Sequence, residues 1–203
     1  RGDQLRPVAG LHLRTVTLPR RLMLILLCAV SLPAFAASDD AFWELLRQGG
    51  KVVLIRHAQT GPGIGDPPGF VLGDCRTQRN LSAQGRADAA RIGEQFRQRG
   101  IPVAEVLSSR WCRCVDTAKL AFGKVRTATM LDSMFNDRER SDEEKVRELF
   151  AWLARRPAAT GNLVLVTHAQ NISTLTGESA GSGEMMVRVV DGPRRLKVLQ
   201  RAA

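Results

Sequence analysis

The chain has histidines at positions 12, 57 and 168, and two of them stand where chemistry is easily done. Val52-Val53-Leu54-Ile55 runs into Arg56-His57, and Asn162 to Thr167 runs into His168. Short apolar runs rich in Val, Ile and Leu suit buried parallel strands. In open α/β sheets the ligand crevice lies beyond the carboxyl ends of such strands. His57 and His168 are therefore expected to face one pocket, with Arg56 beside the first. A third junction, Ser108-Ser109, leads into a helix carrying Arg113, whose guanidinium would stand near a helix N-terminus, a favourable place for anions. Arginine forks hold the non-bridging oxygens of a phosphoryl group. Neighbouring cations lower a histidine pKa, leaving one imidazole neutral and nucleophilic near neutral pH. Phosphoryl transfer needs mostly positioning and charge neutralisation, and this set of residues calls for no metal and no cofactor.

The elements that must position these residues alternate along the chain. Ser38-Asp39-Asp40 opens a short amphipathic helix bearing Phe42, Trp43, Leu45 and Leu46, stopped by Gly49-Gly50. After the first strand, the stretch from Gly61 to Gly73 is too punctuated for regular structure and reads as a mobile rim. Ser82 caps a helix reaching about Arg99, with Ala87, Ala90, Ile92 and Phe96 expected inside. Val103 to Leu107 is a strand, Cys112 to Phe122 a helix, and Val125 to Leu131 another strand. Ser141 and Glu144 form a capping-box pattern ahead of a Val146, Leu149, Phe150, Leu153 stripe. Met185–Val190 and Leu196–Gln200, joined by Asp191-Gly192-Pro193, read as a closing hairpin. The pattern is α/β, a three-layer sandwich with helices on both faces of a mostly parallel central sheet.

Length and composition set limits around this. The 203 residues, 44% hydrophobic and 25% charged, allow one well-cored domain. The longest apolar run, residues 22–32, falls short of the roughly 20 residues a membrane-spanning helix needs, which excludes a polytopic membrane protein. Arg20-Arg21 before it and Ala34-Phe35-Ala36 after it make a secretory signal peptide. Residues 1–36 are expected to be a leader, 1–19 an over-extended reading frame, and 37–203 the folded domain, exported to the periplasm with no stable membrane span after cleavage. Without the leader, 25 basic residues stand against 19 acidic ones. The arginines are spread out, Tyr is absent and no basic–aromatic alternation occurs, which argues against nucleic acid and for a field that attracts small anions. Cys75, Cys112 and Cys114 allow one disulfide, with Cys75–Cys112 preferred over Cys75–Cys114. Cys112 and Cys114 lack a second ligand pair with zinc spacing. No cysteine is followed at the sixth position by the arginine that a cysteine phosphatase needs. Gly61-Pro62-Gly63-Ile64-Gly65-Asp66 has Asp66 where a dinucleotide fingerprint requires its third glycine.

Four segments together carry a resemblance. Arg56-His57-Ala58-Gln59-Thr60 resembles the R-H-G-[EQ]-T signature of the histidine phosphatase (phosphoglycerate mutase-like) superfamily. Leu81-Ser82-Ala83-Gln84-Gly85 is similar to its L-[ST]-x-x-G segment. Residues Ser108 to Ala118 are similar to its S-S-x-x-x-R-x-x-[ED]-T-A helix start, and Val166-Thr167-His168-Ala169 to its V-[ST]-H-G strand end. The segments keep the family order over about 51–190. The resemblance implies that His57 is a nucleophile carrying a transient phosphohistidine. It also implies that Arg56 and Arg113 clamp the phosphate, that His168 stabilises the transferring group, and that Gln59 and Thr60 line the pocket. Ala58 and Ala169 replace the usual glycines. The acid that protonates the leaving group has no clean match: Asp137 is the first candidate, Glu184 the second and a substrate-binding residue in its own right, with Asp132 and Glu139 behind. Arg76 and Arg79 are either substrate ligands or a solvated loop face. The expected activity is a metal-independent phosphomonoesterase acting on a phosphorylated small molecule or glycan. The alternatives are a phosphomutase and a non-catalytic anion binder.

Overall fold

In the computed structural model, six strands form one sheet in the order β3-β2-β4-β1-β5-β6. The structure describes Gly2 and residues 34–203, except 136, 138, 158 and 191–193. The leader's apolar run and the turn at 191–193 lie outside the described residues. The elements are α1 (Ala34–Arg47), β1 (Val52–Arg56), α2 (Ala83–Gln98), β2 (Val103–Ser108), α3 (Cys112–Phe122), β3 (Arg126–Thr127), α4 (Asp142–Arg155), β4 (Asn162–Thr167), α5 (Ala169–Thr176), β5 (Met185–Val190) and β6 (Leu196–Ala202). Strands β3, β2, β4 and β1 run parallel, whereas β5 and β6 add an antiparallel edge.

Alternation along the strands divides the interior in two. Val53, Ile55, Val164, Val166 and Val187 pack with side chains of α1, α2 and α3, including Phe42, Trp43, Ile92 and Ala118. Leu54, Leu107, Leu163, Leu165 and Met186 face the other way, against Val146, Leu149 and Phe150 of α4 and Ile172 and Leu175 of α5. A strand buried on both faces has no polar side to show, so its sequence reads as an unbroken apolar run. Every residue of β4 is buried.

Several boundaries differ from the expectation. Helix α1 begins at Ala34 rather than Ser38, extended by the good helix formers Ala34, Ala36 and Ala37. On α2, Ala87 and Ala90 are exposed; the inner face is Gly85, Ala89, Ile92, Gly93 and Phe96. The two glycines replace larger side chains because backbone comes too close. A Cβ at Gly85 would lie 1.9 Å from Gln59 O, and one at Gly93 would lie 2.0 Å from Ala121 O. The expected strand 125–131 is only two residues long, after which a 3₁₀ turn at Thr129–Leu131 redirects the chain. That turn delivers Asp132 and Ser133 to the carboxyl end of the sheet. Helix α5, absent from the sequence reading, starts at Ala169 directly after His168.

The capping box at Ser141 and Glu144 is formed on both sides. Cys75 is bonded to Cys112 and Cys114 is free and buried. The bridge ties the loop after β1 to the first residue of α3. Among the described residues, no helix is long and apolar enough to cross a membrane.

Candidate active site

His57 leaves β1 with its backbone N–H still bonded to Thr167 O at 2.9 Å, so the β1–β4 pairing holds it in place. The side chain is 4% exposed. Its ring Nδ1 lies 2.9 Å from Ala58 O. A carbonyl only accepts, so Nδ1 carries the hydrogen and the lone pair sits on Nε2. Burial pushes the His57 pKa down to about 3 against the pull of the Ala58 carbonyl, and Arg113, Arg56 and Arg79 lower it further. His57 is thus a neutral imidazole with an available Nε2 at ordinary pH.

His168 stands beside it, the ring centroids 5.5 Å apart. Burial also lowers its pKa, and His57, Arg113, Arg56 and Lys145 act in the same direction. The Ser109 hydroxyl donates to Asp132 Oδ1 at 3.3 Å and lies 2.9 Å from His168 Nε2. With its own hydrogen directed to the carboxylate, Ser109 accepts from His168 Nε2–H, which fixes that ring. Asp132 is held by Arg110 through the backbone N–H at 2.8 Å and Nε at 2.6 Å. Ser109→Ala leaves Nε2–H without its acceptor, and kcat should fall about 10- to 100-fold, the usual cost of losing an outer orienting partner. A steady-state comparison of kcat at unchanged thermal stability checks this.

The guanidinium groups converge on the histidines. A pocket of about 170 Å³ is lined by Arg56, His57, Arg79, Arg113, Ser133 and His168, among others. Arg56 donates through NH1 to Ala180 O at 2.8 Å, and its buried Nε has no partner. Arg113 is 3% exposed and paired with the buried Asp66. Arg79 spans the rim loop, donating to Thr60 Oγ1 at 2.6 Å, Gly63 O at 2.9 Å and Gly65 O at 2.8 Å. Arg76 instead pairs with Asp74 at the surface. The Cys114 thiol, 3.5 Å from His168 Nε2, is pushed up to about 12 by burial and stays protonated, with no thiolate to compete as nucleophile.

The other sequence candidates stand back from the pocket wall. Gln59 contributes through its backbone, its O accepting from Ser82 N–H at 3.0 Å, and the Thr60 hydroxyl is taken up by Arg79. Glu184 is bound by Gly181 N–H and by Arg201 Nε, both at 2.6 Å, and braces the turn that receives the backbone of Arg56. Asp137 pairs with the fully buried Lys145 at 3.0 Å. Burial raises its pKa, but the Glu139 N–H, Lys145 and Arg110 outweigh that and leave it lowered. Asp137 and Glu139 border a neighbouring cavity of about 610 Å³ that shares Phe135 with the histidine pocket. A lowered pKa and a committed cation make Asp137 an ion-pair partner, and the structure does not aim it as an acid. Ala169 opens a helix, where alanine outperforms glycine, and the Ala58 methyl is fully buried. Asp66, Ser109 and Ser133 were not among the sequence candidates. The one available signal was Asp66 itself, the single charge in residues 61–73.

A pH effect on stability follows from His57. Its folded pKa of about 3 lies below the ordinary 6.5. Between those values the unfolded chain binds a proton that the folded chain refuses, so stability falls as pH drops below 6.5. Each such histidine contributes a slope of about 1.4 kcal/mol per pH unit. The stability difference, wild type minus His57→Asn, should therefore shift by about that amount per unit between about pH 6 and pH 4. Urea unfolding at several pH values measures it, and a pH-independent difference would contradict a buried neutral His57.

Among the described residues, no group of three or more His, Cys, Asp or Glu side chains is placed to hold a metal ion. No curated protein matches the chain significantly in sequence. In fold it is similar to the protein histidine phosphatase SixA complexed with tungstate, with 13% identity, a TM-score of 0.51 and coverage of 74% of this chain and 95% of that one. The Rv3214 protein of Mycobacterium tuberculosis is similar at 17% identity and TM-score 0.53, over 74% of this chain and 96% of that one. The mycobacterial glucosyl-3-phosphoglycerate phosphatase Rv2419c is similar at 21% identity and TM-score 0.51, over 69% and 90%. The sequence model of the Histidine phosphatase superfamily (branch 1) matches residues 52–148, from the strand that leads into His57 through the helix of Arg113 and into α4. Over those residues the chain is similar to the histidine phosphatase superfamily, and it shares its fold with the solved structures above.

Proposed function

We propose that this chain is a metal-independent phosphomonoesterase, acting through a phosphohistidine on His57 in an exported compartment. The observation that carries the reading is the tautomer: His57 Nδ1–H is spent on the Ala58 carbonyl, and Nε2 keeps its lone pair in a pocket walled by three guanidinium groups. In the proposed reaction Nε2 attacks phosphorus in line and the bond to the leaving oxygen breaks. That oxygen takes a proton from an acid or from water. Water then attacks the phosphohistidine, the N–P bond breaks, and phosphate departs with His57 returned to its neutral form. Arg56, Arg79 and Arg113 neutralise the equatorial oxygens, and His168 walls the pocket beside His57 as a neutral ring.

The carboxylates considered as acid, Asp132, Asp137, Glu184 and Glu139, each lie within ion-pair distance of an arginine or lysine. This leaves water as the proton source for the leaving oxygen. The surplus of basic residues suits a phosphorylated small molecule or glycan. Export is supported by the leader pattern and by the Cys75–Cys112 disulfide, a bond that persists in oxidising compartments.

The test is hydrolysis of an aryl phosphate by the 37–203 domain with EDTA present, followed by acid-labile, alkali-stable label trapped on the protein. Metal-independent turnover with label on His57 is the expected result. Absence of turnover from acid to neutral pH, with oxyanion binding intact, would favour the anion-binding alternative.

A further inference from the structure

The loop between β1 and α2 was expected to be a rim, yet the side chain of its Asp66 is fully buried. The carboxylate meets Arg113 end-on, Oδ1 to NH1 at 2.7 Å and Oδ2 to NH2 at 3.2 Å. Trp111 Nε1 donates to Oδ2 at 2.8 Å, and the Arg79 backbone N–H donates to Oδ1 at 3.0 Å. Three of these four donors belong to residues on or directly before α3, and the disulfide from Cys75 anchors at the first residue of that helix. Asp66 is thereby fixed relative to the sheet.

A guanidinium carries five N–H groups, set as an end fork and a side fork. Asp66 takes one hydrogen from each end nitrogen of Arg113. Arg79 O, at 3.4 Å, takes the second hydrogen of NH1. What is left is the side fork, Nε–H and the second NH2 hydrogen, and that Nε is buried without a partner. An unmade hydrogen bond on a buried charged group is costly. Arg56 repeats the pattern, with NH1 held by a carbonyl and a buried Nε left over. Both arginines line the pocket that contains His57.

We propose that Asp66 is a positioning residue of the phosphate clamp: it grips the end fork of Arg113 so that the side fork is left to receive a tetrahedral oxyanion. Its consequence for turnover rests on the phosphoryl-transfer reading above, whereas its consequence for oxyanion binding does not. The opposite role would be a carboxylate that occupies Arg113 in place of phosphate and must be displaced. The two roles predict effects of opposite sign.

The experiment measures binding of orthovanadate and of inorganic phosphate to wild type, Asp66→Ala, Asp66→Asn, Arg113→Ala and the Asp66→Ala/Arg113→Ala double variant. Asp66→Ala should weaken vanadate binding about 10- to 100-fold, the range seen when an outer partner that orients a ligand is removed. In the Arg113→Ala background the same substitution should change binding less than about threefold, because Asp66 acts through that arginine. Asp66→Asn keeps the size and one acceptor, and should fall between wild type and Asp66→Ala. It also supplies the comparison if Asp66→Ala does not fold. Tighter or unchanged binding in either variant would overturn the proposal. So would an equal loss with and without Arg113, which would mark a loop that is only structural. A wild type that binds vanadate but never turns over would remove the enzymatic reading and leave this one standing.

Discussion

His57→Asn should lower kcat for an aryl phosphate by at least about 10⁴-fold while leaving vanadate affinity within about tenfold of wild type. Asparagine offers no lone pair that can carry a phosphoryl group, so the covalent step is lost outright. The Cys114 thiol remains protonated and cannot take over. The guanidinium groups are untouched by the substitution, which is why ground-state affinity should survive. Single-turnover kinetics and vanadate inhibition separate the two effects. A residual rate above about one-hundredth of wild type would mean that His57 is not the nucleophile.

The largest effect on stability should come from Asp137→Ala. Lys145 is completely buried, and Asp137 is its short-range counter-charge at 3.0 Å. With that carboxylate gone, the ammonium retains Ser133 O at 3.3 Å and the half-exposed Asp142 at 4.0 Å. Removing one member of a buried pair costs about 3–5 kcal/mol, which for a domain of this size lowers Tm by roughly 10 °C. The lowered pKa of Asp137 sets the pH dependence. Its contribution is present above the unfolded carboxyl pKa and is lost as pH falls through the folded value, so wild type and variant should converge in acid. The same variant decides the role that the sequence suggested for Asp137. An ion-pair role predicts similar, small changes in kcat for aryl and alkyl phosphates below the melting range, whereas an acid role predicts a loss confined to alkyl phosphates. Thermal melts and paired substrates read both.

The sequence was informative wherever a residue's partners are close along the chain or its environment is uniform. β1 and β4 were plain because both faces are buried, and α3 and the Ser141 cap because their signals are local. The strand-to-histidine junctions placed His57 and His168 in one pocket for the same reason. What escaped depends on contacts between distant segments. Gly85 and Gly93 count among the inner residues of α2 only once Gln59 and Ala121 are known to press against them. The strand after α3 stops after two residues because Asp132 and Ser133 have another destination. Asp66 was visible only as the single charge in its loop, and its partner Arg113 lies 47 residues further on.

The sheet order bears on how the protein comes into being. β1, which ends in Arg56 and leads into His57, lies between β4 and β5 in the sheet. Its first contact with β4 is already remote, since Lys51 N–H finds Asn162 Oδ1 111 residues later. A growing chain therefore presents the strand of His57 early and must keep it unpaired until β4, which begins at Asn162, has emerged. Contacts of such high sequence separation form slowly, and the loop closure they require comes before any reward. The anion pocket should thus be among the last features to assemble. Oxyanion binding during refolding would time the completion of the whole sheet, and a nascent chain halted before β4 would have no pocket at all.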